Sequence, residues 1–163
     1  MYRNTMNLSF ENSKIKGKVV LTDSLDANPA LLKDKTLYKF IWVVSGQLEL
    51  DVDHQAVVLN AGQLLTLSHL HHLEFVRVDG SYFALMFNSN FYCIYGNDHE
   101  VSCNGLLFHG SSHVVVFDLS DQERRKIETL TGIMREEFES RDHLQDEMLR
   151  VLLKRFIILC TRV

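Results

Sequence analysis

From Ser68 to Glu74 the chain reads Ser-His-Leu-His-His-Leu-Glu, which puts His69, His71, His72 and Glu74 close together. Imidazole and carboxylate groups at such spacing can hold a transition metal, move protons or hydrogen-bond a polar ligand. Strand geometry limits the first use. Side chains alternate across a strand, so His72 and Glu74 share one face and His69 and His71 the other. One strand cannot build a tight site from all four. They are read as polar groups around a loop and strand start, as ligand-binding groups at the mouth of the fold, or as part of a metal site.

Lys39 is the second candidate. It shares a strand face with Leu37, Ile41 and Val43, whereas Tyr38, Phe40, Trp42 and Val44 share the opposite face. An inward lysine is costly without an anion beside it. Lys39 therefore either meets an acidic ligand or internal carboxylate, or sits at the mouth of the fold with its head in water. Trp42 is read as core packing.

Support for nucleophilic catalysis is thin. Ser111, Ser112 and His113 are adjacent, but no nucleophile elbow surrounds them. No phosphate-cradling loop or zinc-finger spacing is present. Cys93, Cys103 and Cys160 cannot all pair within one chain and have no reactive flanking motif, so they are read as small hydrophobes. His54, His99, His109, His113 and His143 are scattered, as surface or core-edge residues would be.

The elements that must position these groups change character near Leu119. Before it lie short β-branched or aromatic runs: Ile15 to Leu21, Leu37 to Val44, Gln47 to Val52, Ala56 to Leu59, Gln63 to Leu67, His72 to Val78, Ser81 to Phe87 and Val114 to Leu119. Ser45-Gly46, Asp53-His54, Asn60-Ala61-Gly62 and Asp79-Gly80 punctuate them as turns, with Asp79-Gly80 the strongest hairpin signal. Many short strands with no helical pattern among them imply an antiparallel sandwich or barrel.

After Leu119 the period becomes helical. Ser120 and Glu123 form a capping-box pattern, followed by the stripe Ile127, Leu130, Met134 and Phe138. Asp142 with Gln145 suggests a second N-cap, and Leu144, Met148, Val151, Leu152, Arg155 and Leu159 continue as a second helix. Eight of the ten residues from Val151 to Cys160 are apolar, too many for a helix packed on one side only. A second partner surface is expected there. The run also reaches Val163 without a helix stop signal, as a chain cut before a further segment would.

An apolar fraction of 46% allows a sizeable core. Residues 120–163 carry nine acidic and nine basic groups, so the whole net charge of -4 falls on residues 1–119. The β region thus lacks the basic stripe that gripping DNA requires. The four basic residues Arg150, Lys154, Arg155 and Arg162 suit a helix C-terminal half without a DNA-binding role. No signal peptide or membrane-length apolar run appears, so a reducing cytoplasm and no membrane partner are expected.

The segment from Tyr38 to Asp53 resembles the first hairpin of the sensor domains of AraC-family transcription regulators. There an aromatic-rich strand ends at a Gly and a second strand runs to an Asp. Asn60 to Ser68, leading into the His-containing strand, is similar to the next family block. Cys103-Asn-Gly-Leu-Leu-Phe108 with the paired helices resembles the end of the sensor region in Bacteroidetes-type members. The resemblance implies a mainly β fold: a cupin-like antiparallel β-barrel (double-stranded β-helix) over 1–119, then a helical hairpin over 120–163. It also implies a non-catalytic sensor, with Lys39, Ile41, His72 and Glu74 contacting a small-molecule effector. A homodimer would form through Leu144, Met148, Val151, Leu152, Arg155 and Leu159, and DNA would be bound only by a C-terminal domain absent from this chain.

The enzyme alternative is a small cupin isomerase or epimerase, or a metal-dependent cupin. In metal-dependent cupins, two His, a Glu and a later His face the barrel interior. By that pattern the Glu place falls on Lys39, the first His places fall near Lys33 and Lys35, and the last falls on Leu73, next to His72. An ammonium group is no metal ligand. No metal or other cofactor is therefore expected, and no acid–base pair facing one cavity is evident.

Overall fold

The computed structural model describes residues 5–92 and 114–163. Two strands of sixteen residues form its spine: β3 (Leu37–Val52) and β6 (Leu73–Asn88). They pair antiparallel from Leu37↔Asn88 to Val52↔Leu73. β1 (Asn7–Asn12) and β2 (Gly17–Thr22) add outside β6. β4 (Gln55–Asn60) and β5 (Gln63–Leu67) follow one another along the other edge of β3, and β7 (Val115–Asp118) closes that side. The order β1-β2-β6-β3-β5-β7 is open among the described residues, with β4 beside β3.

Three of the four expected turns are not reversals. Ser45-Gly46 and Asp79-Gly80 lie within β3 and β6, where the two strands bend together. A Cβ on Gly46 would stand 2.1 Å from the Asp79 carbonyl oxygen, and one on Gly80 would stand 2.0 Å from that of Ser45. The glycines therefore mark close backbone approach at a bend rather than a chain reversal. Asn60-Ala61-Gly62 is likewise a joint, since β4 and β5 both run antiparallel to β3. Ala61 N–H donates to Gly46 O (3.1 Å) and Gly62 N–H to Val43 O (2.9 Å), carrying the pairing across it. The tight reversal is Asp53-His54, where φ is 51° and 69° and Val52 pairs with Gln55. Both central residues are left-handed, as a type I′ turn requires.

Two bulges accompany the bend. Register shifts fall between Val43 and Ser45 and between Glu49 and Leu50. They leave Val44 on β3 and Val76 on β6 without a facing residue, at 53% and 66% exposure. An extra residue flips the side-chain parity. Leu37, Ile41 and Val43 before the bulge and Leu48, Leu50 and Val52 after it therefore reach the same interior cluster. The bent sheet encloses this core between its halves. A 3₁₀ turn (Leu25–Ala27) and α1 (Pro29–Lys33) contribute Leu25 and Leu31 to it. The Asn28 side chain caps α1, with Pro29 in its first turn.

The opposite face of the helix-side half carries Tyr38, Phe40, Trp42 and Phe87, and two helices cover it. α2 (Asp121–Glu139) begins at the expected capping box of Ser120 and Glu123 and buries Ile127, Leu130, Met134 and Phe138. α3 (Gln145–Thr161) buries Leu149, Leu152, Leu153, Phe156, Ile157 and Cys160. Its N-cap is Leu144 rather than Asp142. Asp142 instead accepts from Leu144 N–H, and the Gln145 side chain donates to the carbonyls of Glu137 and Phe138 at the end of α2. α3 is tied to the sheet side through Arg150, whose Nε donates to Phe91 O at 2.9 Å, and through Asp146, which accepts from Asn12. The described fold is a mainly antiparallel sheet backed by a C-terminal helical pair.

Candidate functional site

Lys39 lies on the interior face with Ile41, paired across the sheet with Leu67 and Met86. It is 2% exposed, which corrects the expectation of a head in water at the mouth of the fold. Its Nζ donates to Leu37 O at 3.3 Å. Burial, then repulsion from Lys35, lowers its pKa to about 8, while Asp34 acts in the opposite direction. Among the described residues no carboxylate forms an ion pair with it. An ammonium in this setting is a poorly compensated cation, and an anion entering the interior would relieve it.

The histidine-rich segment divides into three settings. His69 packs edge-on against Tyr38 at 5.1 Å, on the helix side of the sheet. His71 Nδ1 accepts from Ser68 N–H at 3.0 Å, closing the local loop. His72 is exposed, with Nε2 3.0 Å from Glu74 Oε1 and Nδ1 3.1 Å from Lys35 Nζ. That network suits a ring that accepts at Nδ1 and donates from Nε2. Lys39 and Ile41 thus face the buried interior, while His72 and Glu74 lie outside, and Lys35 stands between the two sets. The four do not line one common space. Among the described residues, no group of three or more His, Cys, Asp or Glu could hold a metal ion.

Cys160 is buried at 1% exposure, and burial pushes its thiol pKa up, as for a small core hydrophobe. Cys93, Cys103, His99, His109, the Cys103–Phe108 block and Ser111 to His113 lie outside the described residues. Trp42 packs between Phe83 (5.7 Å) and Phe156 (5.1 Å), a core setting.

On the outer face of α3, Leu144, Met148 and Val151 are 56%, 43% and 53% exposed. Arg155 is exposed and Leu159 half-buried on the same stripe, spaced at three and four residues. Leu152 is not on this stripe; it is buried against the sheet. Ile133 of α2, 42% exposed, borders the stripe across a shallow groove shared with Arg155.

One feature leaves no signature in the local sequence. A cavity of about 480 Å³ opens where the sheet bends beneath α2, walled by Trp42, Val44, Phe83, Arg124, Gly132 and Arg135 among others. A straight helix cannot follow a bent sheet, so a gap remains at the bend. No local pattern announces it, because its walls come from four separate stretches of chain.

No protein-family model matches the sequence, and no curated protein matches it. A solved structure shares its fold. An AraC-like transcriptional activator, CuxR, is 10% identical with a TM-score of 0.50, over 90% of this chain and 52% of that one. ToxT from Vibrio cholerae is 11% identical with a TM-score of 0.44, over 94% of this chain and 54% of that one. At 10% identity the likeness to CuxR is one of fold alone. The chain spans about half the length of the solved structures it matches. The described helices include none long and apolar enough to cross a membrane.

Proposed function

We propose that this chain is the ligand-sensing and dimerisation unit of an AraC-type transcription regulator, without catalytic activity of its own. The observation that carries the reading is the shared architecture: a bent antiparallel sheet and a helical pair, matched over 90% of this chain to 52% of an AraC-like transcriptional activator. The sheet is read as the wall of a cupin-type barrel, and the protein as cytoplasmic. A small-molecule effector enters the interior beside Lys39 and Ile41, with His72 and Glu74 at the outer rim. An acidic effector is favoured, because it would compensate a lysine held at 2% exposure.

The homodimer forms through the α3 stripe of Leu144, Met148, Val151, Arg155 and Leu159, with Leu152 supporting it from beneath. Three exposed large apolar side chains in helical register support this placement, since such a stripe is costly to leave in water. On this reading DNA is bound by a separate C-terminal domain, in keeping with the match to 52% of an AraC-like transcriptional activator; the chain's own net charge of -4 does not suit a DNA-gripping surface. An effector would act by favouring one arrangement of sheet and helices over another, and dimerisation would raise DNA affinity by linking two binding units.

Light scattering tests the assembly. The chain is expected to be a dimer at micromolar concentration and Val151→Glu a monomer. A monomeric wild type, or a Val151→Glu that still dimerises, sinks the α3 interface. A thermal-shift screen of small metabolite acids, run beside Lys39→Met, tests the sensor: stabilisation by an acid is expected in the wild type and not in the variant.

A further inference from the structure

The cavity beneath α2 has a divided chemistry. Trp42, Val44 and Phe83 make its floor; Val44 shares the Trp42 face of β3 and, unpaired at the bulge, is 53% exposed. Its helix wall presents Arg124, Glu128 and Arg135. Positions 124, 128 and 135 recur at helical spacing, so they lie along one face of α2. Neither arginine forms an ion pair among the described residues.

Arg124 is held in place. Its Nε donates to Leu119 O (3.3 Å) and its Nη2 to Ala61 O (3.4 Å). The guanidinium lies against Gly62, where a Cβ would fall 1.8 Å from Nη2. Gly62 also has φ of +84°, which few other residues adopt. The joint between β4 and β5 thus fixes a cation at the cavity edge. The second feature is Gly132, inside α2 and also lining the cavity. A glycine in a helix interior is destabilising relative to alanine. Packing does not explain it, because apart from the helix's own nearby backbone no described atom lies within 4 Å of where its Cβ would be. The space above Gly132 is left clear within the cavity.

We infer that the cavity between the sheet bend and α2 is a ligand site for a small carboxylate with an aromatic or alicyclic body. The apolar body lies on Trp42, Val44 and Phe83, passing close to the helix at Gly132. The carboxylate is held by Arg135, whose planar guanidinium matches its two oxygens, while Arg124, eleven residues and about 16 Å earlier along the helix, keeps the far edge of the cavity positive. Glu128 accepts from a hydroxyl or amino group on the ligand and disfavours a dianion. The site is separate from the interior around Lys39 and does not depend on the regulatory reading; a chain with no role in transcription would still bind there.

Calorimetric titration with 4-tert-butylbenzoate tests this, with neutral 4-tert-butylbenzamide as the control. Emission of Trp42, the single tryptophan, reports binding at the site. Saturable binding of the carboxylate with a change in Trp42 emission is expected, with weaker binding of the amide. Arg135→Gln should weaken the carboxylate by about tenfold, the loss of one hydrogen bond to a charged group. Gly132→Leu fills the space and should abolish binding, while its melting temperature stays level or rises, which separates blockage from misfolding. Equal affinity for acid and amide, unchanged binding in either variant, or no saturable response in the wild type would overturn the assignment. Lys39→Met should bind the probe as the wild type does, and loss of binding there would also overturn it by placing the probe in the interior.

Discussion

The two halves of β3 are continuous backbone in different surroundings. From Leu37 to Val43 every residue is buried, apolar or not, because the interior core takes one face and the helical pair the other. From Gln47 to Val52 burial alternates, since only the inner face is covered. The comparison shows how a second layer erases the period-two signal. A strand covered on both faces reads as an unbroken apolar run. It also tolerates a buried polar group such as Lys39 only at an energetic cost.

The largest effect that could break this contrast is expected at Phe156, which is fully buried and packs on Phe40 (5.0 Å) and Trp42 (5.1 Å). Phe156→Ala should cost about 3–5 kcal/mol in urea unfolding. Native-state hydrogen exchange should show lost protection in α3 and residues 38–42, with residues 47–52 retaining theirs. Equal loss in both halves would mean that the sheet opens as one unit and the contrast is only static.

Lys39 acts in the opposite direction. Its folded-state pKa of about 8 lies below its ordinary 10.5, so between those values the unfolded chain binds the proton more tightly. Stability contributed by this position should therefore rise as pH climbs from about 8 to 10.5. At neutral pH the charged lysine costs on the order of 3 kcal/mol. Lys39→Met should be more stable than wild type at pH 7, and the gap should close toward pH 10.5. A gap independent of pH would assign the gain to packing alone.

Smaller effects sharpen the picture at the edges. Ser120→Ala removes one half of the capping box that starts α2 and should cost about 1 kcal/mol. Glu74→Gln should change stability by no more than about 0.5 kcal/mol, because the His72–Glu74 pair is exposed. A larger loss would show that this rim supports the fold rather than awaiting a ligand.

Local order in the chain is enough for some of this. The strands β5 and β7, the capping box and buried stripe of α2, and the grouping of Lys39 on one strand face with Leu37, Ile41 and Val43 all follow from alternation, helical spacing and a two-residue signature; which way that face turns does not, because both faces are apolar. A helix among the strands is not expected: α1 starts on an Asn28-Pro29 cap, but five residues are too few to show a helical period, and β1 is a half-buried edge strand whose apolar residues are only Leu8 and Phe10. Local order does not tell a bend from a reversal. Ser45-Gly46, Asn60-Ala61-Gly62 and Asp79-Gly80 have turn chemistry, but their glycines serve contacts with chain more than ten residues away. Only the tertiary structure decides that β3 and β6 run through, that Val44 bulges, and that a cavity opens beside it. The reason is physical: a glycine records that something must come close, not what comes close, and its neighbour here is another strand or a helix.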